Sequence, residues 1–190
     1  MNLLIRRARK RDKAAFQQLM EQEGAAIYKV AKAILKNDED VADAMQETAL
    51  TCWEKIDTLK NDRYFRTWLT RVLINHCNAI YRQRSRMVSE ESVPEADFHE
   101  AGYANVEWEC FMNCLDEKYR TVVMLYYVEG FKTREIAEIL QVNENTVRGR
   151  LVTARKKMEA QYAEEGKETD TVKSGRQKAV CPVERRVWYE

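Results

Sequence analysis

The segment 133–158 constrains the fold more than any other, because it carries two helical patterns with a break between them. Its apolar residues recur at helical spacing on both sides of the break: Ile136, Ala137, Leu140, Val147, Leu151, Ala154 and Met158. Thr133 and Asn143 stand where each helix would be capped. A short helix, a turn at 141–143 and a longer second helix predict a helix-turn-helix, whose second helix lies in the DNA major groove.

The outer face of the second helix is basic. Between positions 144 and 158 the charged residues are one acid, Glu144, and five cations: Arg148, Arg150, Arg155, Lys156 and Lys157. A basic amphipathic helix alone is more often only a solvated surface. Here, however, small Ala137 would let the two helices cross closely, and Val142 and Val147 would fill the angle between them, so the combined pattern favours DNA binding. Gln141 occupies the turn position where Gly reaches a positive φ at no cost, which predicts strain or a different turn.

Composition favours an all-α protein, because the 190 residues include only two prolines and six glycines and no window alternates like a strand. No run approaches the roughly 18 apolar residues of a membrane span, and no apolar stretch follows the basic N-terminus as in a signal peptide. The five cysteines form no disulfide framework, which indicates reduced thiols in a cytoplasmic protein. Cys110 and Cys114 could share a metal ion, but further clustered ligands are missing, so we expect no metal and no cofactor.

The net charge of +1 conceals blocks of opposite sign. Segment 63–86 carries six arginines and no acid, whereas 87–107 carries six acids and no Lys or Arg. Segment 37–53 carries five acids and no Lys or Arg. Such blocks predict several partners of different charge rather than one basic surface.

The basic helix predicted at 64–86 has Phe65 and Leu69 on its core face and arginines and asparagines around the rest. Tyr64 and Tyr81 lie among these cations, and aromatic faces among cations suit unpaired bases. A solvated basic helix is the alternative, but for the arginines we favour nucleic-acid binding.

The helix predicted at 38–57 carries an acidic and polar ridge formed by Asp40, Asp43, Gln46 and Glu47. Its buried stripe is expected to be Val41, Met45, Ala49, Cys52, Trp53 and Ile56. The helix dipole accounts for acids in the first turn, but not for Asp43, Gln46 and Glu47 beyond it. An exposed ridge of this kind suits a basic protein partner.

Two predictions concern the start of the chain. Residues 1–13 are expected to form a solvated basic arm, from which Asp12 caps the first helix. Gly24 is expected to break or kink that helix before a second apolar stripe begins at Ile27.

The predicted domain organisation has four parts: a first domain at 1–86, an acidic linker at 87–104, a second domain at 105–162 and a mostly disordered tail at 163–190. In the second domain, helices are predicted at 106–114 and, between a cap at Asp116 and a stop at Gly130, at 117–129. The fold class is therefore all-α, with two small helical domains joined by a flexible linker.

Three motifs in this order resemble the sigma factors of bacterial RNA polymerase, of the two-domain extracytoplasmic-function type. They are DVADAMQET at 40–48, FRTWL at 65–69, and LDEKYR at 115–120 followed by the helix-turn-helix. In that family the first motif binds core polymerase, the second opens and reads the minus-ten promoter element, and the third belongs to the minus-thirty-five domain. The likeness covers about residues 10–162.

The resemblance implies a set of site residues. The residues expected to bind core polymerase are Asp40, Asp43, Gln46 and Glu47. The residues expected to bind minus-ten DNA are Asn61, Arg63, Tyr64, Arg71, Asn75, Asn78 and Arg82, with a flipped base captured near 61–64. The residues expected to bind minus-thirty-five DNA are Asn145, Thr146, Arg148, Arg150, Thr153, Arg155 and Lys156.

The resemblance also implies the partners: core RNA polymerase, promoter DNA as duplex and as melted single strand, and an anti-sigma factor. Neither a small-molecule substrate nor enzymatic activity is expected. The expected location is the cytoplasm, at the nucleoid when active or held at the membrane by the anti-sigma factor.

Two alternatives stay open from sequence. A stand-alone regulator would use only the helix-turn-helix and bind duplex DNA unaided, which leaves the ridge and the basic helix unexplained. A helical nuclease would need acids clustered beside its basic helices to hold metal ions, whereas the acids here lie on another helix and in the linker.

Overall fold

The computed structural model describes residues 2–35, 37–87, 112 and 114–169. Its helices are α1 (Asn2–Arg9), α2 (Lys13–Ile34), α3 (Asp38–Lys55), α4 (Phe65–Met87), α5 (Glu117–Val123), α6 (Thr133–Leu140) and α7 (Glu144–Thr169). Two short 3₁₀ turns, Ile56–Thr58 and Asp62–Tyr64, join α3 to α4, and a π-helical turn, Met124–Val128, extends α5. The described ranges contain helices and no strand, which confirms the all-α prediction. The acidic linker and most of the helix predicted at 106–114 lie outside these ranges.

The first residues do not form a solvated arm, so that prediction is wrong. They form α1, whose Ile5 and Ala8 are fully buried. Burying an isoleucine side chain contributes about 1.5–3 kcal/mol, which helps to hold this short helix against α2. Arg11 turns the chain with a φ of 66°, and Asp12 caps α2 as predicted by accepting a hydrogen bond from the Ala15 amide at 3.1 Å.

Helix α2 runs through Gly24 without interruption, so the predicted break there is also wrong. A glycine inside a helix costs only about 1 kcal/mol relative to alanine. The buried Leu19 before it and Ile27 after it keep both halves of α2 on one core.

Helices α2, α3 and α4 pack together as the first half of the protein. On α3 the side chains of Val41, Cys52 and Ile56 are buried as predicted. Ala44 and Thr48 are buried as well, whereas Met45, Ala49 and Trp53 are only partly covered. The buried face of α3 is therefore rotated slightly from the predicted stripe.

The helix-turn-helix is present in the second half. Asn143 accepts a hydrogen bond from the Asn145 amide at 2.8 Å and so caps α7. Val147 and Ala137 are buried where the two helices cross. Gln141 adopts a left-handed conformation with a φ of 55°, which is the strained turn that its non-glycine side chain predicts.

Three details of the second half differ from prediction. Thr133 is the first residue of α6 rather than its cap. Asp116 lies at the cap position of α5, but its carboxylate accepts a hydrogen bond from Lys157 at 2.9 Å instead of capping the helix. Helix α7 continues to Thr169, beyond the predicted start of the tail at 163. Gly130, with a φ of 73°, ends the preceding helical turn as predicted.

The two halves pack against each other, α2 against α5 and α4 against α6. Arg66 on α4 bridges them, since it pairs both with Glu23 of α2 and with Glu129 that follows α5. The halves are therefore in direct contact.

Candidate nucleic-acid interface

The start of α7 presents the predicted recognition residues to solvent. Asn145, Thr146 and Arg148 are all exposed. Arg148 donates to the Glu144 carboxylate at 2.8 Å, and the Thr133 hydroxyl donates to the same carboxylate at 2.7 Å. The hydrogen bond from Thr133, followed by that from Arg148, lowers the pKa of Glu144 below its ordinary value. Glu144 thus joins α6 to α7 and orients Arg148.

Farther along α7 the residues predicted to contact minus-thirty-five DNA differ in exposure. Lys156 is exposed, whereas Arg150, Thr153 and Arg155 are partly covered. The Thr153 hydroxyl donates to the carbonyl of Gly149 at 3.0 Å, as helical threonines often do. Among the residues of this helix that were predicted to contact DNA, the exposed ones are Asn145, Thr146 and Arg148 near its start and Lys156 farther along.

The loop before α4 holds three predicted minus-ten residues in the open. Asn61, Arg63 and Tyr64 are exposed. The Asn61 side chain accepts a hydrogen bond from the Arg63 amide at 3.0 Å, which fixes the turn. Asp62 between them is held by Arg6 and Arg9 of α1 through contacts of 3.2 Å each. The loop is therefore braced by the N-terminal helix.

On α4 the predicted minus-ten residues differ in exposure and in their contacts within the protein. Asn75 and Arg82 are exposed, and Asn78 is partly covered. The Arg71 guanidinium reaches the second half of the protein. With the side-chain amide of Gln141 oriented so that its oxygen faces Arg71, Arg71 Nε donates to that oxygen at 3.1 Å. Gln141 belongs to the turn of the helix-turn-helix, so the first half's basic helix touches the second half's DNA-binding motif.

The acidic ridge on α3 is present, with one exception. Asp43, Gln46 and Glu47 are exposed, but Asp40 is buried and pairs with Arg84 at 2.6 Å. The expectation that Asp40 belongs to an open ridge is wrong, because α4 passes over it and supplies a cation. The ridge available to a partner is Asp43, Gln46 and Glu47.

Sequence reasoning missed the bridging role of Arg66. A signal was present in α2, where Glu23 lies four residues from both Leu19 and Ile27 on the apolar stripe. A charge on a buried face needs an opposite charge nearby. The identity of that partner could not be read locally, because Arg66 is 43 positions away.

In the described part of the chain, no group of three or more His, Cys, Asp or Glu side chains is arranged to hold a metal ion. None of the helices there has an apolar stretch long enough to cross a bilayer.

Comparison with known proteins agrees with this arrangement. The family description Sigma-70 region 2 matches residues 19–87, which contain α3, α4 and most of α2. The description Sigma-70, region 4 matches residues 106–158, which contain α5, α6 and residues 144–158 of α7. The chain belongs to the sigma-70 family. The two regions follow each other in the order that the motifs predicted.

Individual relatives narrow the type of sigma factor. RNA polymerase sigma factor SigV of Bacillus subtilis is 27% identical over 73% of this chain and 86% of its own. The ECF RNA polymerase sigma factor SigW of the same organism is 26% identical over 83% of this chain and 94% of its own. Among solved structures, CnrH in complex with the cytosolic domain of CnrY superposes with a TM-score of 0.66 at 28% identity, over 86% of this chain and 97% of that one.

These findings confirm a sigma factor of the extracytoplasmic-function type. Sigma factors are transcription initiation factors rather than catalysts. This sigma factor directs promoter-specific initiation by RNA polymerase, and its two regions are consistent with minus-ten and minus-thirty-five recognition.

Proposed function

We propose that three surfaces of this sigma factor divide the work of initiation. The ridge Asp43, Gln46 and Glu47 binds core polymerase, the loop 61–64 with α4 binds the melted minus-ten element, and α7 reads the minus-thirty-five duplex. The observation that carries the division is that the three sets lie on different elements and that each keeps exposed side chains of suitable charge.

The recognition helix reads duplex DNA through its first turns. Asn145 and Arg148 are exposed at the end of α7 that a helix-turn-helix presents to the major groove. An arginine at a guanine edge contributes about 1–3 kcal/mol of discrimination. Thr146, Arg150, Thr153, Arg155 and Lys156 are assigned to phosphate contacts, which position the helix without reading bases.

The minus-ten surface binds single-stranded DNA. Tyr64 exposes 49% of its surface and is next to Arg63 in the chain. An exposed aromatic ring beside a cation is the combination that binds unpaired bases and their phosphates. Asn75, Asn78 and Arg82 continue this polar surface along α4. Arg71 belongs to the same surface and would exchange the Gln141 amide for DNA.

The core-binding ridge is acidic, open and outside the basic surfaces. Its carboxylates, on Asp43 and Glu47, lie four residues apart and therefore on one face of α3. This spacing suits a basic patch on a large protein partner, and we assign that partner as core polymerase.

We also propose an anti-sigma factor as a regulatory partner. The supporting likeness is to CnrH, which was solved in complex with the cytosolic domain of CnrY. The protein would act without enzymatic activity in the cytoplasm, at the nucleoid when engaged on DNA and near the membrane when an anti-sigma factor holds it there.

The test is capture of core RNA polymerase by the purified chain, followed by run-off transcription from genomic fragments. Stable capture with new transcripts that start at defined promoters is the expected result. Tight binding to duplex DNA alone, without capture of core polymerase, would instead make the chain a stand-alone regulator and remove the ridge assignment.

A further inference from the structure

Helix α1 and the loop before α4 border a shallow, solvent-open cavity of about 350 Å³. Arg6 and Arg9 line it from α1, and Lys60, Asp62 and Arg63 line it from the loop. The remaining lining residues are asparagines, so every side chain around the cavity is polar. Four cations against one carboxylate give the cavity a net charge of +3.

The cavity is held together by Asp62. Its two carboxylate oxygens are each 3.2 Å from an arginine, Oδ2 from Arg6 and Oδ1 from Arg9. Its side chain is only 13% exposed, so these charge-assisted contacts are shielded on the carboxylate side. Burial of Ile5 and Ala8 keeps α1 in place behind them. Asp62 thus positions Arg6 and Arg9, and the cavity still keeps a net positive charge.

The net positive charge of the cavity favours an anionic ligand over a nucleic-acid base or an apolar group. The lining side chains offer hydrogen-bond donors and positive charge, and none of them is aromatic, so a base has no ring to stack on inside the cavity. The aromatic face lies just outside, on Tyr64 of the same loop, and it is exposed. Single-stranded DNA could occupy both features at once, with a base stacked on Tyr64 and a backbone phosphate in the cavity.

We propose that this cavity binds a backbone phosphate of the melted promoter strand, which makes the N-terminal helix part of the minus-ten interface. The inference rests on the proposed function, because it takes single-stranded promoter DNA as the ligand. It assigns Lys60, Arg6 and Arg9 a role that lies outside the residues of α4 and the 61–64 loop.

The experiment replaces Lys60 by Gln and measures binding of the polymerase holoenzyme to a single-stranded minus-ten oligonucleotide from a promoter mapped by run-off transcription. A matched control, Lys10→Gln, removes the same charge from an exposed position next to α1 that does not line the cavity. The slope of log K against log salt falls by up to about 0.7 for Lys60→Gln, the value for one single-strand phosphate. It stays unchanged for Lys10→Gln, and Lys60→Arg restores it.

A second arm locates the phosphate. Each linkage of the oligonucleotide is replaced in turn by a neutral methylphosphonate, and the replacement is combined with Lys60→Gln in a double-mutant cycle. At one linkage the two changes should be non-additive by roughly threefold or more. Additivity at every linkage, or an equal loss of slope in Lys10→Gln, would overturn the proposal.

Inorganic phosphate separates the two possible sources of the anion. If it shifts the amide resonances of Lys60 and Arg63 at millimolar concentration while no DNA linkage couples to Lys60, the site takes free phosphate and the DNA assignment is wrong. If the wild-type chain captures no core polymerase, the proposed function fails instead. The same cycle, run on the free chain with a single-stranded oligonucleotide of arbitrary sequence, then decides the cavity by itself, because a phosphate contact carries no sequence information.

Discussion

Arg66 and Glu129 join the two halves of this sigma factor through a contact of 2.5 Å between Nη2 and Oε2. The same guanidinium lies 3.3 Å from Glu23 through its Nε and 5.0 Å from the ring centroid of Phe131. The side chains of Glu23 and Glu129 are only 10% and 6% exposed. A single cation therefore pairs with two shielded acids that belong to opposite halves.

Replacing Arg66 by Gln should loosen this junction. Both acids would keep their burial and lose their cation. An unsatisfied buried polar group costs about 1–3 kcal/mol and a charged one costs more. We expect a lower urea midpoint and a larger radius of gyration in small-angle X-ray scattering. Arg134→Gln is the control, since its pair with Glu138 is exposed and such pairs contribute about 0–1 kcal/mol. Unchanged scattering in Arg66→Gln would show that other contacts hold the halves together.

Reversing two charges of the ridge should abolish core binding without unfolding the protein. Asp43→Lys with Glu47→Lys places cations where the basic partner surface docks, and like charges repel. Both positions are exposed, so the circular dichroism spectrum and melting temperature should change little. The measurement is capture of core polymerase.

The control for the ridge variant carries the same change in net charge elsewhere. Glu21→Lys with Glu138→Lys alters two exposed acids on other helices and should keep core binding. Equal losses in the two double variants would point to net charge as the cause and would remove the ridge from the mechanism.

Arg148→Ala should weaken promoter recognition by about 10- to 100-fold, the equivalent of one good base contact, with core affinity unchanged. Glu144→Gln should cause part of the same loss of promoter recognition. The Glu144 carboxylate accepts a hydrogen bond from the Arg148 guanidinium at 2.8 Å and so orients it. Run-off transcription and core titration measure the two effects separately. Parallel loss of promoter recognition and core affinity would contradict the recognition role.

The contact between Thr133 and Glu144 should make the second half sensitive to acid. The folded state lowers the pKa of Glu144 through hydrogen bonds from Thr133 and then Arg148. A depressed carboxylate pKa stabilises the fold above the unfolded-state pKa, roughly 4.3 for glutamate, and this contribution disappears as pH falls through the lower folded value. The difference in unfolding free energy between wild type and Glu144→Gln should therefore shrink between pH 7 and pH 3. A constant difference would refute the linkage.

Cys52 and Cys77 should resist alkylation in the folded protein. Both are fully buried, and burial raises the pKa of each thiol to about 12. Because only the thiolate reacts, iodoacetamide at pH 8 should modify them slowly until denaturant is added, while partly exposed Cys114 reacts sooner. Peptide mapping by mass spectrometry follows each site. Rapid native labelling of Cys52 would indicate frequent opening between α3 and α4.

Local pattern was sufficient for several features that depend on residues close in sequence, although not for the caps predicted at Thr133 and Asp116 or the break predicted at Gly24. The helical period of apolar residues predicted α6 and α7, and the caps at Asp12 and Asn143 are made by side chains bonding to amides three and two residues ahead. Even the strain at Gln141 was readable, because a non-glycine residue in a tight turn has few ways to reach a positive φ. These interactions lie within one turn of helix, so the sequence specifies them directly.

Tertiary packing decided the features that join distant residues. A helical period says which face is buried, but not which neighbour covers it, so Asp40 was placed on an open ridge although α4 brings Arg84 to it. The Arg66–Glu129 pair spans 63 positions and the Arg6–Asp62 pair spans 56. The sequence by itself determined most of the helices, the helix-turn-helix and the family of this protein, but not α1. Only the folded chain decided which charges meet, because ion pairing depends on distances of a few ångströms that are set when the helices pack.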